Sequence, residues 1–331
     1  MELALHEPGL GYYAGGAAKL GAPGDFATAP ELGTLFARTL ARQVAEVLEP
    51  GEAILEFGAG SGALAEALIA ELAPEQYLIL ETSAELRARQ EARLGKRARW
   101  LERLPEKFRG VMLANEVADA MPVHAVAWRA QGVMERGVAV ADGQLAWAER
   151  PAAGELLAAA RALRVPVPYE SEIGLVARAW MKLLAARIER GALLLVDYGF
   201  PRHEYYHPQR AMGTLMCHYR HRAHGDPFFY PGLQDVTAHV DFSALAQAAR
   251  EGGLEVLGYA SQAQFLVSCG ITDLLEREDA QDVARYAPRA AEAQRLLSPA
   301  EMGEIFKVLA VGRGVARPLA GFAQGDRTHT L

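Results

Sequence analysis

The chain has little cysteine: Cys217 and Cys269 are the only two in 331 residues, too few for a disulfide framework. With no charged-then-apolar leader over residues 3–10, the expected compartment is the cytoplasm. Positive charge is also short, with 34 Lys and Arg against 41 Asp and Glu and a net charge of -7. No basic field is available to hold a phosphate backbone, so a nucleic-acid partner is not expected. Long apolar runs are missing as well. Even residues 192–196 stop at Asp197, far short of the eighteen or so needed to span a bilayer, so no membrane insertion is expected. Asparagine occurs once, at Asn115. Depletion of this thermolabile amide is a thermophile trend, and a GC-rich genome biases composition the same way; either way Asn115 stands out. What is present is a hydrophobic content of 51%, enough for one large domain or two ordinary ones.

The chain is organised around Ala53-Ile54-Leu55-Glu56-Phe57-Gly58-Ala59-Gly60-Ser61-Gly62. A short apolar run ends in three spaced glycines, and Leu64, Leu68 and Leu72 then follow at helical spacing, which predicts a buried strand, a tight turn and a helix. Glycines at 58, 60 and 62 are expected to clear the turn of side chains, so that the helix N–H groups face a ligand. Gly58-x-Gly60-x-x-Ala63 also fits the loose dinucleotide pattern. Glu56 favours another ligand. A carboxylate there repels a pyrophosphate but suits a cofactor bearing a positive charge and an amino group, as S-adenosylmethionine does. Glu81, about twenty residues beyond the glycines, stands where an acid accepts hydrogen bonds from ribose hydroxyls in either class.

Along the chain, residues 32–48 read as an amphipathic helix, 76–80 as a strand, 83–94 as a helix capped by Ser83, 98–100 as a short strand and 111–114 as a fully apolar one. This alternation predicts an α/β fold with a doubly wound sheet, whose ligands sit at the carboxyl ends of strands. Gly58, Glu81 and Asn115 are all at such ends. Residues 123–147 alternate around Gly132, Gly137 and Asp142-Gly143, predicting inserted antiparallel strands, and helices are expected over 152–163 and 173–190. Residues 193–199 return to the sheet. Residues 201–241 lack periodicity and read as a lid loop; 264–303 is a mainly helical insertion, within a helical cap, and 305–311 a last strand. The expected division is 1–122 for the N-terminal segment and first part of the core, 123–190 for the inserted ribbon and helices, 191–316 for the second part, and 317–331 for a poorly ordered tail.

Asn115, Glu116 and Asp119 follow the fourth strand and are the candidate catalytic residues, against the plainer reading of a capped loop. Glu170 and Glu172, read as preceding a helix, are either helix-dipole charges or carboxylates for a cationic substrate. Cys217, His218, His221 and His224 are closely spaced, but a loop at that spacing fixes no tetrahedral geometry and no CxxC accompanies it, so no metal site is expected.

In this order the motifs Gly11-Tyr12-Tyr13, Gly24-Asp25-Phe26 with Thr28-Ala29-Pro30-Glu31, Glu56 to Gly62, Asn115-Glu116 with Asp119-Ala120-Met121-Pro122, Asp197-Tyr198-Gly199, Gly213-Thr214-Leu215, Asp226-Pro227-Phe228 with Pro231-Gly232, and Asp235-Val236-Thr237-Ala238-His239-Val240-Asp241-Phe242 resemble the MidA family of S-adenosylmethionine-dependent methyltransferases. The likeness covers most of the chain. It implies a class I methyltransferase (Rossmann-like) core with S-adenosyl-L-methionine held by Glu56, Gly58, Ala59, Gly60, Gly62, Glu81 and Asn115. It also implies a protein substrate methylated on arginine, with a respiratory complex I subunit or another assembly client as acceptor, since the family's mitochondrial members act on a core subunit of that complex. Glu116 is the first choice to orient the guanidinium; Tyr13, Asp25, Glu170, Glu172 and His239 are further candidates for the substrate side. The short N-terminus and Leu32-Gly33, where the family more usually has Ile-Ser, depart from the pattern. An assembly or binding factor with a vestigial pocket, and an NAD-dependent oxidoreductase, are the competing readings.

Overall fold

In a computed structural model that describes residues 1–15, 28–220, 222–316 and 318–331, the chain opens with a five-residue helix, α1 (Glu2–His6). Leu5 holds it, fully buried in a small cluster with Tyr12, Cys217 and Val236. The expected helix over 32–48 is two pieces, α2 (Ala29–Leu32) and α3 (Leu35–Val47). The break has a partner far away: Glu292 accepts the Leu35 amide at 2.6 Å, so the second piece starts where that carboxylate caps it.

Next come β1 (Ala53–Phe57), α4 (Ala63–Leu72), β2 (Gln76–Leu80), α5 (Ala84–Leu94), β3 (Arg99–Trp100) and β4 (Phe108–Asn115), in the predicted order. Ser83 caps α5 by accepting the Leu86 amide at 3.5 Å. The inserted strands are β5 (His124–Arg129), β6 (Gly132–Ala141) and β7 (Gln144–Pro151), followed by α6 (Gly154–Arg161) and β8 (Tyr169–Ile173). They form an antiparallel sheet in the order β7-β6-β5-β8. α6 seals one face, where the buried Trp128 indole donates to Ala160 O at 3.2 Å. Glu170 and Glu172 therefore lie on a strand, and the helix they were expected to lead, α7 (Leu175–Arg187), starts later.

β9 (Ile188–Phe200) re-enters the main sheet. Residues 201–241 are no structureless lid. They contain α8 (Arg202–Tyr205), β10 (Met216–Tyr219), β11 (Arg222–His224), β12 (Asp235–Thr237) and β13 (Val240–Asp241), with β11-β10-β12 forming a second small antiparallel sheet. The chain closes with α9 (Phe242–Glu251), β14 (Glu255–Ser261), α10 (Gln262–Ser268), α11 (Ile271–Glu276), α12 (Val283–Leu297) and β15 (Phe306–Arg313). The tail is packed, contrary to expectation: Leu319 and Phe322 are buried, Phe322 meets Phe265 with ring centroids 5.3 Å apart, and Arg327 pairs with Glu304 at 2.6 Å.

Among the described residues the main sheet has the order β14-β15-β9-β4-β1-β2-β3, with β13 beside β9. β9, β4, β1, β2 and β3 are parallel, and β15 runs antiparallel between β9 and β14. Strand alternation divides the core. Ile54, Val111 and Leu194 face α3, α4 and the C-terminal helices, while Leu55, Met112 and Leu193 face α7 and α9. From β1 the chain builds outward to β3 and then crosses back to β4. The strand order thus reverses between β1 and β4, and a doubly wound sheet opens its ligand crevice at the carboxyl ends of such a pair. No helix among the described residues is long and apolar enough to cross a membrane.

Candidate active site

At the end of β1 the backbone turns sharply at Gly58, whose φ of 57° lies in the left-handed region, and its amide donates to Leu80 O at 3.0 Å at the end of β2. A Cβ on Gly58 would meet only Val117, at 3.5 Å, so the turn faces the loop after β4 across open space. Gly62 does something else. It takes the left-handed N-cap position of α4, and its missing Cβ points at Gln90, Arg93 and Leu94. The expectation that all three glycines clear the ligand side therefore fails at Gly62, which serves the turn into the helix.

Glu81 stands at the end of β2, accepting the Ser83 amide and Gln90 Nε2, each at 2.9 Å. Gln90, fully buried on α5, also donates to Gly60 O at 2.9 Å and accepts the Trp100 indole at 2.9 Å. It ties the glycine turn to Glu81. Sequence reasoning passed over it; the signal was a polar residue in the apolar phase of α5. Glu56 is buried beneath the turn and accepts the Tyr77 hydroxyl at 2.6 Å. Burial pushes its carboxyl up to about 7; Tyr77 opposes the rise and the nearby Glu81 adds to it.

β4 delivers the third group. Asn115 donates to Glu116 Oε1 at 3.2 Å, while its own Oδ1 is buried without a hydrogen-bond partner among the described residues. Glu116 has φ 54°, a strained conformation for a non-glycine residue, and its amide donates to Val196 O at 2.9 Å. Asp197, fully buried at the end of β9, explains why that conformation persists. One oxygen accepts the amides of Val117, Ala118 and Asp119 at 3.3, 2.9 and 3.3 Å, and the other accepts the Tyr198 amide at 3.0 Å. Its pKa is pushed well up by burial, then by Asp119 and Glu116, against the hold of those amides. The acid at the strand end was visible in sequence; its grip on the neighbouring loop was not.

Burial, with Asp119 next, pushes Glu116 up to about 8, and burial raises Asp119 to about 6 against a hydrogen bond from the Tyr198 hydroxyl. Asp119 Oδ1 is buried without a hydrogen-bond partner among the described residues. Opposite, α1 and its following turn bring His6, Tyr12 and Tyr13, and β10 and β12 bring Met216, His218, Asp235 and Thr237. Tyr13 hydrogen-bonds Asp235, and His239 stacks on Phe200 with centroids 5.2 Å apart.

Together these groups enclose a cavity of about 700 Å³, in the range of small-molecule sites. Its lining brings together Glu56, Gly58, Ala59, Gly60, Glu81, Asn115, Glu116, Asp119, Tyr13 and His239. Asp25 lies outside the described residues. Glu170 and Glu172 do not line the cavity. Glu170 pairs with Arg129 and Arg136, and Glu172 is buried accepting the Thr214 amide and hydroxyl, both at 2.9 Å. Of the lining side chains six are carboxyls (Glu31, Glu56, Glu81, Glu116, Asp119 and Asp235), and among the described residues none is lysine or arginine. Such a cavity selects cationic ligands, and the open acceptors on Asn115 and Asp119 suit N–H donors.

Comparison with known proteins agrees with this chemistry. Residues 35–260 match a family model described as "Putative S-adenosyl-L-methionine-dependent methyltransferase". A crystal structure of a Burkholderia thailandensis protein bound to S-adenosyl-homocysteine is 50% identical, covering 100% of this chain and 90% of that one, with a TM-score of 0.95. Among curated proteins, the mitochondrial protein arginine methyltransferase NDUFAF7 homolog of Drosophila melanogaster is 29% identical over 98% of this chain and 84% of its own length. The human protein arginine methyltransferase NDUFAF7 is 26% identical over 94% and 78%.

Proposed function

The chain belongs to this family of S-adenosyl-L-methionine-dependent methyltransferases, and from that premise we propose that its acceptor is the guanidinium of an arginine in a protein. The observation that carries the reading is the cavity wall: six carboxyls and, among the described residues, no lysine or arginine. One cationic cofactor does not need them all. In this reading Glu81 would take ribose hydroxyls, and Gly58, Gly60 and Asn115 Oδ1 would hold the amino-acid part, with Glu56 beneath them; their common lining of the cavity supports it. Bound S-adenosyl-L-methionine supplies a methyl group on a sulfonium.

Of the four remaining carboxyls, Glu31 accepts the Ser61 hydroxyl, while Glu116, Asp119 and Asp235 are near enough to act on one another. A guanidinium binds carboxylates in planar, bidentate fashion, so Glu116 and Asp119 would fix its plane. Methylation at nitrogen releases a proton. Asp119 Oδ1 is the acceptor we assign, because a carboxyl held near 6 can take a proton and return it near neutral pH. The protein relatives named as arginine methyltransferases support the acceptor class. The proposed client is a respiratory complex I subunit or another assembly client, as the sequence resemblance implies. The proposed compartment is the cytoplasm, on the scarcity of cysteine; the Drosophila relative is named mitochondrial.

The test is S-adenosylhomocysteine release and intact mass with arginine-containing peptides and their lysine counterparts. Methyl transfer to the arginine peptides alone is expected. Transfer to lysine alone, or to neither while a small-molecule amine is methylated, overturns the acceptor assignment.

A further inference from the structure

Asp197 and Tyr198 are successive residues near the end of β9, so their side chains leave the strand in opposite directions, yet both end on the loop after β4. Asp197 holds the amides of Val117, Ala118 and Asp119, and the Tyr198 hydroxyl donates to Asp119 Oδ2. A further tie, from the Ala238 amide to Asp119 O at 3.0 Å, fixes the same backbone. What these ties leave free is rotation of the Asp119 side chain, and the Tyr198 hydroxyl removes it. The ring that carries the hydroxyl is itself held edge-on by Phe306 and His239, with centroids 5.4 and 5.2 Å away. Burial, and then the charges of Asp119 and Asp197, push the Tyr198 pKa well up, so the hydroxyl keeps its proton. It is a fixed donor toward Oδ2, and Oδ1 is left without a hydrogen-bond partner among the described residues.

On the reading that Asp119 takes the proton released at the acceptor nitrogen, we propose that Tyr198 is a positioning residue for methyl transfer: its hydroxyl fixes Asp119 through Oδ2, keeps Oδ1 for that proton, and favours the carboxylate that must receive it. In the step the acceptor nitrogen forms a bond to the methyl carbon, and the carbon–sulfur bond breaks with its electron pair left on sulfur. The nitrogen's proton passes to Oδ1. One positive charge on sulfur and one negative charge on Asp119 therefore disappear together, and the acceptor keeps its own charge. The other groups around Asp119 give its ionised form no help. Glu116 on the same loop, Asp197 on β9 and Asp235 on β12 are carboxyls, and Tyr13, whose pKa lies well up, stays protonated. His239 is held down at about 4 by burial and then Arg210, and burial holds His6 below its ordinary value, so neither is a cation at pH 7. Among the described residues no lysine or arginine lines the cavity. The Tyr198 hydroxyl is thus the side-chain donor that opposes the rise burial imposes on Asp119.

Tyr198→Phe removes the hydroxyl and keeps the ring between Phe306 and His239, so it tests this in the full chain. The first readout needs no turnover. With aspartate carboxyls labelled with carbon-13 in the apo-protein, and Asp119→Asn to assign the signal, the Asp119 titration midpoint is expected to rise from about 6 to about 7 or above, because a charge-assisted hydrogen bond is worth roughly tenfold or more in an ionisation equilibrium. The second readout is kcat/KM for an arginine peptide against pH. The ratio of variant to parent should climb about tenfold from below pH 6 to above pH 8, with calorimetric cofactor affinity within about threefold of the parent. A merely structural role leaves that ratio flat. An unmoved Asp119 midpoint, or a rate loss independent of pH, overturns the role of Tyr198. Asp119→Asn separates this from the reading beneath it. If that variant turns over normally, Asp119 is not the proton acceptor and the positioning role falls with it; if it is inactive while Tyr198→Phe shows neither change, the role of Tyr198 alone is wrong.

Discussion

The Asp197 carboxylate lies 2.9 Å from the Ala118 amide, and through this contact the end of β9 sets the course of the loop after β4. Glu116 and Asp119 flank that contact. Replacing Asp197 with asparagine substitutes an N–H donor for one of the two accepting oxygens, and at least one amide loses its partner. A buried donor left unpaired costs about 1–3 kcal/mol, so global stability should fall by that amount. Turnover should fall much more, by about a hundredfold, since misplacing a reacting group by an ångström costs that much. Denaturant melts and single-turnover rates for Asp197→Asn check both; full activity at reduced stability would reduce Asp197 to a purely structural role.

Glu116 and Glu56 are both raised, from 4.5 to about 8 and about 7. In the folded apo-protein they therefore hold protons that the unfolded chain has already lost, so stability is greatest below about pH 4.5 for these two groups and is lost as pH rises through 7 and 8. Glu116→Gln should flatten the upper part of that decline. A cofactor cation above Glu56 favours its ionised form, so cofactor binding should release protons from Glu56 at neutral pH. Calorimetry in buffers of different ionisation enthalpy measures this directly; uptake of protons would contradict the assignment.

Glu81→Ala should weaken S-adenosylmethionine by about 1.5–3 kcal/mol, the worth of hydrogen bonds to a charged group. Its contact with Gln90 gives the variant a stability cost as well, so affinity is to be compared in the folded protein by isothermal titration. A change of only a few tenths would remove Glu81 from the ribose site.

Phe322→Ala should destabilise the protein by about 3–5 kcal/mol, the usual cost of truncating a buried aromatic. Phe322 is 5% exposed and packs on Phe265. A chemical denaturation curve close to that of the parent would mean that the tail contributes nothing to the core.

The glycine turn and the strand ends around it were legible because they rest on local patterns: apolar runs of strand length, glycines where the backbone turns, and Ser83 one residue ahead of a helix. The 201–241 segment was not legible. Its strands are two to four residues long, and β10 pairs with β12 across an intervening hairpin, so neither has room for a period. Glu172 misled for a related reason. An acid shortly before a helix looks like a helix-start charge, and only the pairing of β8 with β5, together with Thr214 arriving from a distant loop, shows that it is a buried acceptor. The tail carries no amphipathic repeat, and its order comes from single side chains, Phe322 and Arg327, meeting partners far back in the chain.

Glu116→Gln gives the most direct test of arginine methylation at this cavity, by S-adenosylhomocysteine release with an arginine peptide and calorimetric cofactor affinity on the same preparation. Glutamine keeps the shape and one acceptor oxygen but loses the charge that makes a guanidinium contact strong. Cofactor affinity should stay within about threefold while turnover falls about a hundredfold or more. Normal turnover, or a loss of affinity in proportion to the loss of activity, would contradict the role of Glu116 in orienting the acceptor.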